Sequence, residues 1–229
     1  MPTALPSYSK YDARFRQLQT SRSIQGVPWL SELRKQGFDA FDKLKFPTST
    51  SGNERWKHTN VLQIARTSFD YIPGTDGNLV SETSLHNKVP WDNTWTRLVF
   101  VDGVFSPKLS SDKNKYISSY IDRIASKSDA NDVILNSHLA KYAKIDEDGF
   151  TAINTAFIYD GAIVSLPDGI SPVSPIHILF VTTSNHTSRV YYPRTLILAG
   201  KNSKLAVLES YVGLSDNNYF TNAVTEIVA

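Results

Sequence analysis

From residue 150 onward the chain reads as short β-branched and apolar runs with little between them. They are Ala162 to Leu166, Ile176 to Thr182, Thr195 to Leu198, Leu205 to Tyr211 and Ala223 to Val228, separated by Gly, Pro, Asn and Asp. Nothing helical is expected after Phe150. The gaps are too short for crossover helices, which argues against a parallel sheet of the alternating α/β kind and leaves a sandwich, a barrel or a β-solenoid. Runs that are apolar at consecutive positions, such as Ile178 to Val181, suit strands covered on both faces. The final run, "YFTNAVTEIVA", has no turn, cap or polar tail after it. The expectation is that the chain is the front portion of a longer protein, and that its last strands expose an unpaired edge that promotes self-association or aggregation.

The front half has a different texture. Tyr11 to Gln19 and a stretch beginning at Pro28 read as helices, with Pro28 in a first turn and Trp29, Leu30, Leu33, Phe38, Phe41 and Leu44 at helical spacing. A break is expected at Gly37. Phe46 to Asn53 is a Pro/Ser/Thr/Gly loop, with Asn53 placed to cap a helix starting at Glu54. "RLVFVDGVFSPKL" has two apolar runs around Asp102-Gly103, a favoured hairpin pair. Lys115 to Lys144 returns to helical spacing, with Tyr116, Ile117, Tyr120, Ile121 and Ile124 on one face and Val133, Leu135, Leu139 and Tyr142 in a second stretch.

Composition narrows function mostly by exclusion. The 229 residues, 41% hydrophobic and 20% charged, suffice for one large domain or two modest ones. A net charge of +2 without a basic stripe points to neither nucleic acid nor an anionic membrane. The absence of cysteine removes disulfides, thiolate metal sites and a Cys nucleophile together. The first residues lack the apolar core of a signal peptide, and no run of 18 apolar residues occurs. A cytoplasmic protein, or an organelle-matrix one, is expected, and the sequon Asn185-His186-Thr187 is then a chance match.

Local motifs carry little chemistry. Glu54, Lys57 and His58 in "SGNERWKHTN" form a polar cluster, better explained by a short capped helix with Trp56 buried and its charges wet. Asp146-Glu147-Asp148-Gly149 fails as a calcium loop, since Lys144 and Thr155 would fill the first and last ligand positions, and reads as a solvated turn. Ser7 with Lys10, and Ser110 with Lys113, match Ser-x-x-Lys without its companion motifs. The five histidines, His58, His86, His138, His177 and His186, have no metal-binding spacing, and His177 suits an outward or hydrogen-bonded strand position. Gly200-Lys201-Asn202 lacks the rest of a phosphate loop. No catalytic, cofactor-binding or metal residue is assigned.

Longer blocks are more specific. "FTAINTAFIYDGAIVSLPDG", "PIHILFV", "PRTLILAGKNSKLAVLESYVG" and "YFTNAVTEI" resemble, in order, the SufB/SufD family of the SUF iron-sulfur cluster assembly system, nearer to its SufD branch. "PTSTSGNERWKHTN" is similar to the family's Glu-Trp-Lys segment, and "LVFVDGVFSPKLS" to its hairpin. The pattern departs at Arg55, where a second acid is usual before the Trp. The resemblance implies a mainly β chain with an N-terminal α/β region, residues 1–149 forming a helical region with a β-hairpin. Residues 150–229 would then form the first part of a right-handed parallel β-helix, incomplete at its C-terminus, with Asp160-Gly161 and Gly200 to Ser203 at coil corners.

By the same resemblance the protein is a non-catalytic scaffold. It pairs with SufB through the β-helix and with the ATPase SufC through a C-terminal region absent from this sequence. It binds no cofactor alone, the Fe-S cluster being assembled with its partners. A homodimer and, in a eukaryotic source, a plastid-stroma location are compatible with it. The alternative is a β-helix carbohydrate-active enzyme, for which Asp160, Glu209 and Glu226 are the strand-region acids.

Overall fold

A computed structural model describes residues 8–20, 27–47, 54–71, 73, 80–111, 116–119, 133–183 and 188–229. Two helices open it, α1 (Ser9–Gln19) and α2 (Pro28–Leu44). Pro28 starts α2, where its missing N–H costs nothing, and Leu30, Leu33, Arg34, Gly37 and Phe41 form its buried face. The helix runs through Gly37 without the expected break. A Cβ at Gly37 would lie 2.7 Å from the Ala156 nitrogen and 2.9 Å from the Ala152 oxygen, so glycine here lets a second helix backbone approach. That backbone belongs to the helix at Gly149–Ala156.

A single 3₁₀ turn (Glu54–Trp56) and two one-turn helices, α3 (Leu62–Arg66) and α4 (Glu82–His86), lead to the strands β1 (Thr96–Val101) and β2 (Val104–Phe105). The expected hairpin is present, with Val101 opposite Val104 and both turn residues left-handed, Asp102 at φ 49° and Gly103 at 79°. The helix expected from Lys115 is corrected at its start. Ile117–Ser119 is a strand, β3, antiparallel to β4 (Ala162–Leu166), because Ile117 and the Tyr116 carbonyl find sheet partners there that outweigh helical periodicity. Residues 120–132, with Tyr120, Ile121 and Ile124, lie outside the described residues, while α5 (Val133–His138) is helical as read.

The expectation of no helix beyond Phe150 is also corrected: α6 spans Gly149–Ala156. Its cause is local, since Asp148 caps it by accepting from the Phe150 and Thr151 amides at 2.7 and 3.3 Å. Asp146 and Glu147 do lie in an exposed turn as read, but the stretch ends in a helix start, with Asp148 as its cap and Gly149 as the first residue of α6.

The remaining strands are β5 (Ile176–Thr182), β6 (Arg189–Tyr191), β7 (Arg194–Ala199), β8 (Val207–Gly213), β9 (Tyr219–Thr221) and β10 (Val224–Val228). They form three sheets, in the orders β2-β1-β5-β8, β10-β7-β4-β3 and β6-β9, and none closes into a barrel. From β4 to β10 the chain visits the sheets in rotation, and each strand pairs in parallel with the one three further on. Ala162 lies opposite Thr195, Ile176 opposite Val207, Arg189 opposite Tyr219 and Arg194 opposite Val224. This reconciles parallel pairing with short gaps, because each connection carries a strand of another sheet instead of a helix.

Leu98, Phe100, Val164, Ile176, Ile178, Phe180 and Ile197 fill the interior between the sheets. The outer faces are covered too. Leu30, Leu33, Leu135 and Leu139 pack on Ile163 and Leu196, while Val80, Leu85 and Leu109 pack on Val99, Val101, Leu179 and Val181. Double coverage explains why β5 is buried at every position.

Candidate functional site

Three polar clusters stand out among the described residues. The first joins β7 and β10 to α6. Arg194, fully buried, donates to Glu226 Oε2 from Nη2 at 2.6 Å and Nε at 3.2 Å. Its Nη1 donates to Asn154 Oδ1 and Thr155 Oγ1 at 3.0 and 3.1 Å. Glu226 also accepts from the Ala140, Tyr142 and Ala143 amides at 2.8, 2.8 and 3.0 Å. Burial pushes its carboxyl up, but Arg194 and these donors outweigh that and hold it below the usual value. Asn154 Nδ2 closes the network on the Pro193 and Asn222 carbonyls at 2.9 and 2.7 Å. So complete a set of partners fixes register and leaves little capacity for a ligand.

The second cluster lies on the outer face of the first sheet. Arg97 on β1 sits opposite His177 on β5, and its guanidinium stacks on Trp91 at 3.7 Å. His177 is wholly buried, its Nε2 is 2.9 Å from Ser210 Oγ, and its ring meets Trp95 edge-on at 5.9 Å. Among the described residues, Arg97 Nε and His177 Nδ1 find no hydrogen-bond partner. Burial, and then the Arg97 charge, pulls the His177 pKa down to about 4. Its ring should therefore stay neutral until about pH 4, which an NMR titration of the imidazole resonances will check. Because the folded pKa lies below the unfolded value near 6.5, the unfolded chain binds the extra proton between them. Stability is complete above pH 6.5 and should fall by roughly 2–3 kcal/mol as pH drops to 4.

The third cluster is on the last strands. Glu209 Oε2 on β8 accepts from the Tyr211 hydroxyl at 3.2 Å and from Thr225 Oγ1 on β10 at 2.9 Å. Its Oε1 is shielded from solvent and has no partner among the described residues.

The other sequence candidates disperse. Glu54 and Lys57 form an exposed ion pair at 2.7 Å, and Trp56 is only partly buried, packed on Phe150 at 5.1 Å. His58 is exposed, His86 packs on Trp91 at 4.3 Å, His138 Nδ1 meets the Tyr142 hydroxyl at 2.5 Å, and His186 lies outside the described residues. Among the described residues no group of three or more His, Cys, Asp or Glu is placed to hold a metal. Ser110 and Ser111 are taken up by the backbone of β1, their hydroxyls accepting from the Val99 and Arg97 amides at 2.9 and 2.6 Å. Ser7 and Lys113 are outside the described residues. Lys201 donates its amide to Asp168 Oδ1 at 2.8 Å in a turn where Asn202 has φ 57°.

Asp160, Glu209 and Glu226 are engaged separately, Asp160 holding the Phe105 and Gly161 amides at 3.0 and 2.8 Å. They form no pair of catalytic carboxylates. Sequence reasoning missed the Arg97–Trp91–His177 cluster, whose members come from distant segments. It also missed the facing of Glu209, although the period-2 pattern Val207, Glu209, Tyr211 puts that acid in line with apolar neighbours.

The family model for the SufBD protein N-terminal region matches residues 6–178, and the chain belongs to this SufBD family. It is 28% identical over 236 residues to an iron-sulfur cluster assembly SufBD family protein of Synechocystis sp., covering 96% of this chain and 49% of that one. To the iron-sulfur cluster assembly protein SufD of Bacillus subtilis it is 21% identical over 214 residues, covering 91% and 47%. The chain thus spans about half the length of the curated relatives it matches. Among the described residues no helix is long and apolar enough to cross a membrane.

Proposed function

We propose that this chain serves iron-sulfur cluster assembly as a non-catalytic, SufD-type scaffold. It pairs with SufB through its strand stack and acts with the ATPase SufC. The observation that carries this is the SufBD family match over residues 6–178, supported by two relatives whose names state iron-sulfur cluster assembly. The rotation of β4 to β10 through three sheets supports reading the stack as a right-handed parallel β-helix. Residues 150–229 form its first part and residues 1–149 the helical region in front. A cytoplasmic setting, or the plastid stroma in a plastid-bearing source, belongs to the same proposal.

The cluster is cargo here. Cluster iron is held chiefly by thiolates, and a chain without cysteine must draw most of its ligands from a partner. Anaerobic reconstitution with iron and sulfide tests this, first on the chain alone and then with SufB and SufC. The expected result is no charge-transfer absorption surviving desalting in the first sample and a stable band in the second. A persistent band in the first would overturn the scaffold reading, and none in the second would overturn the assignment to cluster assembly.

A further inference from the structure

Arg97 and His177 are register partners on the parallel strands β1 and β5, so their side chains leave the same face of the sheet about 5 Å apart. Arg97 is 6% exposed and His177 not at all, yet both keep unused hydrogen-bonding capacity. Arg97 Nη1 donates to the Asp92 carbonyl at 3.3 Å. Its Nε and Nη2, the edge that meets a carboxylate with two parallel hydrogen bonds, donate to no described residue. His177 meets Ser210 through Nε2 and leaves Nδ1 unmatched. In the tautomer where the Ser210 hydroxyl donates to Nε2, Nδ1 carries the proton and is a further donor. The charge is unmatched as well. Glu82 acts on Arg97 electrostatically from the start of α4, but no ion pair to Arg97 forms among the described residues. The Asp92 carboxylate is turned onto the Thr94 amide and hydroxyl at 2.8 and 2.7 Å. Trp91, stacked on the guanidinium at 3.7 Å, fixes its plane, and Trp95 stands edge-on to the imidazole, so the donors are held in place before a ligand arrives. The turn between the two tryptophans is exposed at Asp92, Asn93 and Thr94, which brings the site to the surface.

We propose that Arg97, with His177 beside it, is a binding site for a carboxylate. The Nε–Nη2 edge takes its two oxygens, and His177 Nδ1 adds a hydrogen bond to one of them. A water molecule would satisfy Nε but leave the Arg97 charge without a counter-ion, whereas a carboxylate answers both. A free organic acid and the acidic side chain of a polypeptide carry the same group. The site is built from β1, β5 and the turn before β1, and the proposal stands independently of the role in cluster assembly.

The test follows the Arg97 Nε–H resonance by proton–nitrogen NMR while the protein is titrated with sodium acetate and, separately, with a blocked glycyl-glutamyl-glycine peptide. Sodium chloride at matched ionic strength is the reference. The expected result is a saturable shift with acetate or the peptide at roughly millimolar concentration, and none with chloride. Whichever of the two acids binds more tightly identifies the source of the carboxylate. Arg97→Lys keeps the charge but loses the planar edge, and should weaken binding at least about tenfold, read from the fluorescence of the neighbouring tryptophans. The wild-type titration decides the matter alone should that variant fail to fold. A shift that chloride reproduces would overturn the proposal, as would no saturation by either acid below about 0.1 M. Unchanged affinity in a folded Arg97→Lys would overturn it too.

Discussion

Replacing Glu226 by alanine is expected to cost about 3–5 kcal/mol, measured by chemical denaturation, because it strands a fully buried Arg194. Three backbone amides between Ala140 and Ala143 lose their acceptor as well, so the loop before α6 should loosen along with β10. Arg194→Ala should be comparably damaging, as it leaves a buried carboxylate. The double variant Glu226→Leu, Arg194→Met should cost much less than the sum of the two, since an apolar pair of similar volume removes both charges together. The acid limb has a defined sign. The folded pKa of Glu226 lies below its ordinary value of 4.5, so the pair's contribution is complete above that pH and is lost as pH falls through the lower folded value. The double variant should lack this part of the acid limb.

Gly149→Ala is the second large expected effect. A Cβ there would lie 1.9 Å from the Lys45 carbonyl oxygen and 2.9 Å from its carbon, both backbone atoms that no side-chain rotation can move aside. Lys45 ends α2 with a left-handed φ of 55°, and Gly149 is the first residue of α6. The substitution must push the two helices apart at the point where they meet. The expected loss is at least about 3 kcal/mol, the upper end for overpacking, read as a fall in denaturation midpoint. Gly169→Ala is the control. Its φ is 72° but nothing lies within 4 Å of the added carbon, so backbone strain alone should cost about 1 kcal/mol.

The strands after Phe150 and the Asp102-Gly103 hairpin were legible because β-branched runs and turn chemistry act over a few residues. What failed depended on neighbours distant in sequence. Gly37 reads as a helix breaker until the α6 backbone lies against it. Ile117 has helical spacing to its neighbours, yet an antiparallel partner at Val164 claims it for a sheet. α6 had a local sign in the Asp148 cap, hidden because an acidic stretch before a glycine also suits a turn. The site was less legible still. Arg97, His177 and Ser210 share no segment, and whether Glu209 faces solvent or the interior is decided by its pairing with Ile178. The blocks resembling the SufB/SufD family carried the family membership that the motifs did not.

The rotation through three sheets also dictates how the chain can fold as it leaves the ribosome. No parallel pair in the stack is local. β4 cannot find β7, nor β5 find β8, until a strand of each other sheet has been made between them. Early order must therefore come from α2 and the β1–β2 hairpin, which need only sequence-near partners. β5 then lays down on β1, and β7, β8, β9 and β10 each find an earlier strand of their own sheet as a template. A translational pause anywhere after β5 would leave an open template at the growing end. The codons between strands therefore set how long that surface is exposed to wrong pairing.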